Sequence, residues 1–374
     1  MAIPFMSIYV TQGMGRSIAD AGWVISLFGL GAVLGTQTGG YLTDRLGFRV
    51  VQIGSTILAG LAFFAFSFVI DFTLLCGLTV MLGFFAEAFK PANFTAIATY
   101  SKPENLTRSY SLNRLAINIG FSLGSSLGGI LAALNYKLLF WTEGCVYLLV
   151  ALLIALLLPS RKQAHKELRA ARSGQKIQSP WKDSYFMQLM VFLTVYTTCF
   201  IIMFRLVPVF WKENWGINEA FIGLLMGLNG VIISVFEMVI VNYMEKRKRE
   251  VRFVLYGTLL TALGYTFFLF QIRPFELLAI GSVITFTIGE MFTFPYLNTL
   301  VSLRSNEFNR GQYAAIYSFT WSFAQVIGPA GGAFLVARFS YNWLWFALIG
   351  LGLLTFFGFR ILLTPKSASQ LLSD

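Results

Sequence analysis

Seven ionisable residues lie inside long apolar runs of this 374-residue sequence: Glu87, Lys90, Arg114, Glu143, Arg205, Glu237 and Glu290. A charge in such surroundings is costly, and it is usually paired or functional. Glu87 and Lys90 stand three residues apart, so on a helix they share a face. Counting along each run brings Arg114 to their level on the next run. A Glu87–Lys90–Arg114 cluster is therefore expected, either lining a cavity or tying two neighbouring helices together. Its net positive remainder would favour an anionic or zwitterionic ligand unless further charges cancel it. Glu290 has no basic residue within a turn on its own helix, a setting in which a carboxyl can hold a proton. A neutral, hydrogen-bonded structural role is the competing reading. Glu290, with Glu87 second, is the candidate proton-carrying group. Arg205, Glu143 and Glu237 lie near the ends of their runs, where solvation is cheap, and structural roles are expected there. Asn118, Asn298, Tyr317, Trp321 and Gln325 join Lys90 and Arg114 as candidate cavity liners, although aromatics at helical spacing more often pack or face lipid.

Other chemistries find little support. Cys76, Cys145 and Cys199 are far apart within apolar runs, and the single histidine, His165, sits in a polar stretch. No metal-ligand spacing or disulfide framework results, so neither a metal nor a cofactor is expected. The stretch Gly120-Phe121-Ser122-Leu123-Gly124 matches a nucleophile elbow, but it lies inside an apolar helix with no histidine partner. The glycosylation-like triplets at Asn93 and Asn105 fall in a span and on the cytoplasmic side. A phosphate-cradling G-x-x-x-x-G-K-[ST] loop is absent, which argues against ATP as a driving force.

The elements that would position these residues are membrane spans. The chain is 56% hydrophobic and 12% charged, where soluble domains carry about 25% charged residues. Apolar runs of about 20 residues, the length that spans a hydrocarbon core, are separated by short basic clusters. Spans are expected near 21–43, 50–70, 72–98, 112–134, 138–158, 185–210, 220–243, 251–271, 275–303, 312–337 and 343–363, after a short first segment over 1–10. Of 28 Lys and Arg, 20 fall in loops on one side and 5 on the other, with Lys90, Arg114 and Arg205 inside spans. The positive-inside rule then puts the 159–183 stretch and the C-terminus in the cytoplasm. The net charge of +11 is thus read as loops facing anionic lipid, not as a nucleic-acid surface.

The chain also repeats. Pro4, Pro91, Asn105, Gly124 and Gly128 match Pro208, Pro295, Asn309, Gly328 and Gly332 at a spacing of 204, and Trp23 and Gly29 match Phe221 and Gly227 at 198. Such repetition marks transporter folds with a site between the halves. Domains are expected at 1–158 and 184–374, each a six-helix bundle, joined by a 159–183 linker. Pro208 lies late in its span while Pro4 has three residues before it, so the first span is expected to be N-terminally truncated.

The loop Gly39-Gly40-Tyr41-Leu42-Thr43-Asp44-Arg45-Leu46-Gly47-Phe48-Arg49 resembles the major facilitator superfamily signature G-x-x-x-D-R-x-G-R-R/K, with Phe48 in place of one basic residue. The resemblance implies an all-α membrane protein of twelve helices in two pseudo-symmetric bundles. It also implies a gating role for Gly40, Asp44, Arg45, Gly47 and Arg49, in which Asp44 faces a neighbouring helix end. The corresponding stretch Asn242-Tyr243-Met244-Glu245-Lys246 reads as a copy that has lost the pattern. Gly120 through Gly129 is similar to the G-x-x-x-G-P-x-x-G-G motif of drug:proton antiporters, with Ser125 where proline is usual. Gly289 through Pro295, Arg310-Gly311-Gln312-Tyr313 and Gly328-Pro329-Ala330-Gly331-Gly332 resemble the same branch. Phe89-Lys90-Pro91-Ala92-Asn93 and the Glu290-to-Pro295 spacing are similar to elements of proton-coupled oligopeptide symporters.

These resemblances imply a secondary transporter, not an enzyme, in a bacterial inner membrane, working as a monomer among lipids on a small-molecule substrate and protons. Efflux of amphipathic, drug-like compounds is the leading expectation. Uptake of peptide-like or other small polar solutes, and a transport-inactive receptor or scaffold, are the alternatives.

Overall fold

The computed structural model describes Met6 and residues 9–158, 179–247 and 250–363. Most of the expected first segment, most of the 159–183 linker with His165, and residues 364–374 lie outside that range. Within it the chain is helical, with no strand. The α-helices are α1 Ile18–Leu46, α2 Phe48–Phe66, α3 Phe72–Tyr100, α4 Leu106–Leu134, α5 Tyr136–Leu157 and α6 Ser184–Arg205. They continue with α7 Val207–Glu213, α8 Glu219–Arg247, α9 Glu250–Thr266, α10 Phe275–Arg304, α11 Arg310–Arg338 and α12 Tyr341–Leu362. Among the described residues nine helical stretches are long and apolar enough to cross a bilayer, α6 and α7 counting as one. Helices α1 and α4, each 29 residues long, carry Asp44 and Arg114.

Helices are the outcome because hydrocarbon offers no water to an open peptide group, so each span must satisfy its own backbone. Small polar side chains follow the same rule. Hydroxyls of Thr36, Thr79, Thr197 and Thr355 donate to carbonyls four residues back at 2.7–2.8 Å. Prolines break the ladder inside α3 at Pro91 and inside α10 at Pro295. At both, a threonine one turn on, Thr95 or Thr299, donates to the proline carbonyl. The expected straight span over 185–210 is instead broken at Leu206, and Pro208 enters the first turn of α7, where its missing N–H costs little.

The repeat is visible in helix bounds. Helix α4 maps onto α11 with an offset of 204 at both ends (106 to 310, 134 to 338), while α1 maps onto α8 with 201 (18 to 219, 46 to 247). The second value replaces the 198 expected from Trp23 and Gly29.

By proximity the chain forms two compact units, Met1–Tyr100 with Ala116–Pro180 and Ser305–Ser322, and Ser101–Leu115 with Trp181–Arg304 and Phe323–Asp374. In the first, α1 packs on α3 through Gly31, Gly35 and Gly39. A side chain at any of these would strike the backbone of Val80, Phe84 or Ala88. Association of helices in lipid depends on such close approach, because the tails are as apolar as the side chains. The second unit is centred on aromatic rings, with Phe268 ringed by Phe210, Trp211, Trp215, Tyr265 and Trp345.

Candidate functional site

The loop after α1 is built for an abrupt turn. Gly47 ends α1 and starts α2 with φ of 91°, a left-handed value that favours glycine. Asp44, in the last turn of α1, accepts from the backbone N–H groups of Gly311 (2.7 Å) and Gln312 (3.1 Å) and from the Gln312 side-chain amide (3.1 Å). It thus caps the N-terminus of the 29-residue α11, where free N–H groups and the helix dipole favour a carboxylate. Gly40 lies against Gly311 and Ala315 of the same helix. Arg45 stacks on Tyr41 at 4.3 Å. Arg49 donates to the carbonyl of Ala155 in the last turn of α5.

The matching loop in the second half lacks the signature's glycines but carries a bond of its own. With the 201 offset Asp44 corresponds to Glu245 and Arg45 to Lys246; with the 204 offset Gln312 corresponds to Arg108. Within the second unit Arg108 donates from Nε to Glu245 Oε2 and from Nη2 to Asn242 Oδ1, both at 2.7 Å. An acid near the end of α8 meets a donor near the start of α4, as Asp44 near the end of α1 meets the start of α11. Here the donor is a guanidinium, not a helix terminus.

Six residues further along α4, Arg114 enters a buried ionic site. Its Nε lies 3.0 Å from Glu237 Oε1 and its Nη2 3.0 Å from Oε2, a two-pronged pair. Its Nη1 faces Glu290 Oε1 at 3.3 Å. The ring of Phe294 lies 5.7 Å from the guanidinium. Glu237 is 1% exposed and Glu290 4%. Asn229, also buried, donates from Nδ2 to Glu290 Oε2 (3.1 Å) and to Thr287 Oγ1 (2.9 Å). Asn229 and Thr287 also line a narrow crevice with Met203, Phe204, Met226, Val283 and Phe286. With all groups ionised the site holds two negative charges and one positive.

Glu87 and Lys90 pair with each other at 2.6 Å on α3, while the start of α4, bearing Arg114, belongs with α8 and α10. Glu237, expected to be solvated near a span end, is instead buried, because α8 runs on to Arg247 and leaves Glu237 well inside it. Of the other candidates, Tyr317 is buried and contacts the ring of Phe94 at 5.4 Å. Asn298 and Trp321 are half-buried and Gln325 is exposed. Asn118, one turn after Arg114, has a buried Nδ2 without a hydrogen-bond partner among the described residues. Asn229 carried no signal in sequence, being one amide in an apolar run.

A multi-pass helical membrane protein with duplicated halves, duplicated loop contacts and buried charge is a transporter by class. The Major Facilitator Superfamily profile matches residues 1–324 and 210–373. The chain belongs to that family of membrane transporters, which are not enzymes and which bind small-molecule substrates and couple to ions such as protons. It is 24% identical over 369 residues to an uncharacterized MFS-type transporter, YttB, of Bacillus subtilis (strain 168), covering 94% of this chain and 88% of the relative. A Na(+), Li(+), K(+)/H(+) antiporter of Planococcus maritimus is 22% identical over 92% of this chain and 87% of its own. The quinolone resistance protein NorA of Staphylococcus aureus (strain MRSA252) is 25% identical over 44% of this chain and 42% of its own. Among solved structures, a bacterial homologue of the iron transporter ferroportin superposes with a TM-score of 0.75 at 18% identity, covering 97% of this chain and 94% of that one.

Proposed function

We propose that this chain exports small amphipathic, drug-like compounds in exchange for protons, by alternating access. The observation that carries the reading is the excess carboxylate at the Arg114 site. Glu237 takes the two-pronged face of the guanidinium; Glu290 has one ion contact and one amide bond. A buried net charge is costly, and one proton brings the site to neutrality. Glu290 is the group that takes it, and Glu87, already tied to Lys90, ranks second. The crevice beside Glu290 is lined by methionine and aromatic side chains, surfaces that adapt to varied apolar shapes, and a quinolone resistance protein is among the relatives.

In this reading Lys90, Asn118, Asn298, Tyr317, Trp321 and Gln325 line the substrate path. Gly40, Asp44, Arg45, Gly47 and Arg49 form one gate. The bundles 1–158 and 184–374 rock about the 159–183 linker, in a bacterial inner membrane with the C-terminus in the cytoplasm, and one chain suffices. The test is transport by the full chain in proteoliposomes, with ethidium and a fluorescent quinolone under an imposed pH gradient. Glu290→Gln abolishes gradient-driven movement while solute exchange without a gradient persists. Unchanged gradient-driven movement in Glu290→Gln would sink the assignment. The cation antiporter among the relatives favours a second reading, alkali-cation exchange. An internal pH dye in the same vesicles decides, since a response to added Na+, Li+ or K+ without drug supports that reading.

A further inference from the structure

The hydrogen-bond directions around Glu290 are fixed by chemistry. Asn229 Nδ2 spends both of its protons on α10, one on Thr287 Oγ1 and one on Glu290 Oε2. Thr287 gives its own proton to the carbonyl of Val283 at 2.7 Å, so it can only accept from Asn229. The other carboxyl oxygen of Glu290 faces Arg114 Nη1. One oxygen thus accepts from Asn229 and the other makes an ion contact with the guanidinium, an arrangement that fits the carboxylate. A proton on Oε2 that turns toward Asn229 meets an N–H where it needs an acceptor.

The surrounding groups differ in whether they can answer that proton. The charged and titratable ones are Arg114 from α4, Glu237 from α8 and Tyr196 from α6. A guanidinium has no acceptor. Glu237 has both oxygens on Arg114, and the Tyr196 hydroxyl is bonded to Thr261. Asn229 is different, because an amide carries a donor and an acceptor at nearly interchangeable positions. A half-turn of its amide replaces Nδ2 by Oδ1 at Glu290. That oxygen accepts the proton of the neutral carboxyl and also the Thr287 hydroxyl, turned away from Val283.

We propose that Asn229 is the coupling residue of this site, turning its amide when Glu290 takes up a proton and so changing what it offers to the crevice that it lines. With Glu290 ionised, the amide nitrogen is committed to α10 and the carbonyl is the end left for a ligand. With Glu290 neutral, the NH2 group takes that place. The crevice thus prefers a ligand bearing an N–H or O–H donor in the first state and disfavours it in the second, the alternation that exchange for a proton requires. This inference rests on Glu290 being the proton site. Asn229 acts here as a positioning residue, since it neither carries the proton nor needs to move with the helix.

The experiment is infrared difference spectroscopy of the full chain in lipid nanodiscs, between alkaline and acid buffer, with the asparagine side-chain carbonyl labelled with carbon-13. Acidification is expected to produce a carboxylic-acid band that Glu290→Gln removes. It is also expected to shift an asparagine carbonyl band, and that shift is lost both in Asn229→Leu and in Glu290→Gln. Asn229→Ser removes the amide with less bulk if the leucine variant does not fold. An acid band from Glu290 without any asparagine shift that depends on Asn229 overturns the amide turn and leaves the proton site standing. Absence of a Glu290 acid band overturns the proton site, and this inference with it.

Discussion

Replacing Arg114 by leucine tests the energetics of the buried site most directly. The guanidinium gives Glu237 two parallel bonds at 3.0 Å and sits 3.3 Å from Glu290. Removing it leaves two carboxyls, 1% and 4% exposed, with Asn229 as the donor facing one of them. Breaking a buried pair by deleting one partner costs roughly 3–5 kcal/mol, and Arg114→Leu is expected in that range. The carboxylate deletions should cost less, because the geometry provides a spare acid. In Glu237→Leu the guanidinium retains Glu290 as partner and the site becomes electrically neutral, so a loss of about 1–3 kcal/mol is expected, the worth of a hydrogen bond to a charged group. Glu290→Leu removes only the weaker contact and also abolishes the net negative charge, so its effect should stay within about 1 kcal/mol. Thermal unfolding of the purified chain in one detergent, followed by tryptophan fluorescence, ranks the three variants. The expected order of melting midpoints is wild type and Glu290→Leu highest, then Glu237→Leu, then Arg114→Leu. Equal losses for all three, or Glu290→Leu as the most damaging, would refute the assignment of Glu237 as the principal counter-ion.

Three further outcomes follow from the helix contacts. Asp44→Ala removes the acceptor of three N–H groups at the start of α11; transport should fall about 5- to 30-fold with surface expression retained, since a charged cap of this kind is worth about 1–2 kcal/mol. Arg108→Glu should impair transport, and Glu245→Arg in the same chain should restore it. Because the Arg108 side chain is 42% exposed, the pair contributes only about 0.5 kcal/mol, and the defect should shrink in high salt. Gly35→Val drives a branched side chain into the Phe84 backbone, and loss of folded protein on size-exclusion chromatography is the expected readout, with Gly54→Ala, which meets open space, as the tolerated control.

What sequence could and could not reveal divides along the range of the interaction. Spans, repeat and the Glu87–Lys90 pair are local: they depend on runs of about 20 apolar residues or on a three-residue spacing. Arg114 finds its partners 123 and 176 positions away, and no periodicity on α4 announces them. Glu237 lies deeper than its place in the apolar run suggests, for a specific reason. The apolar run in α8 ends near Tyr243, but Glu245, Lys246 and Arg247 continue the helix, so depth counted from the apolar edge is too shallow. Asn229 is one polar side chain in a span, a kind of residue that usually bonds within its own helix, as the threonines here do. The bond of the second loop has no motif to announce it, because Trp23 and Gly29 set a register three residues off the one that helix ends and side-chain bonds support.

The two loop contacts differ in what substitutions can do to them. Asp44 is received largely by backbone N–H groups, which nearly every residue supplies, so drift at Gln312 leaves the contact able to form. Glu245 depends on the side chain of Arg108, so a change on either side must be answered on the other. After duplication, the first contact should therefore persist through descent as a single invariant acid. The second should persist as a pair that varies together, including reversals of sign. A search for fixed motifs finds the first kind and passes over the second.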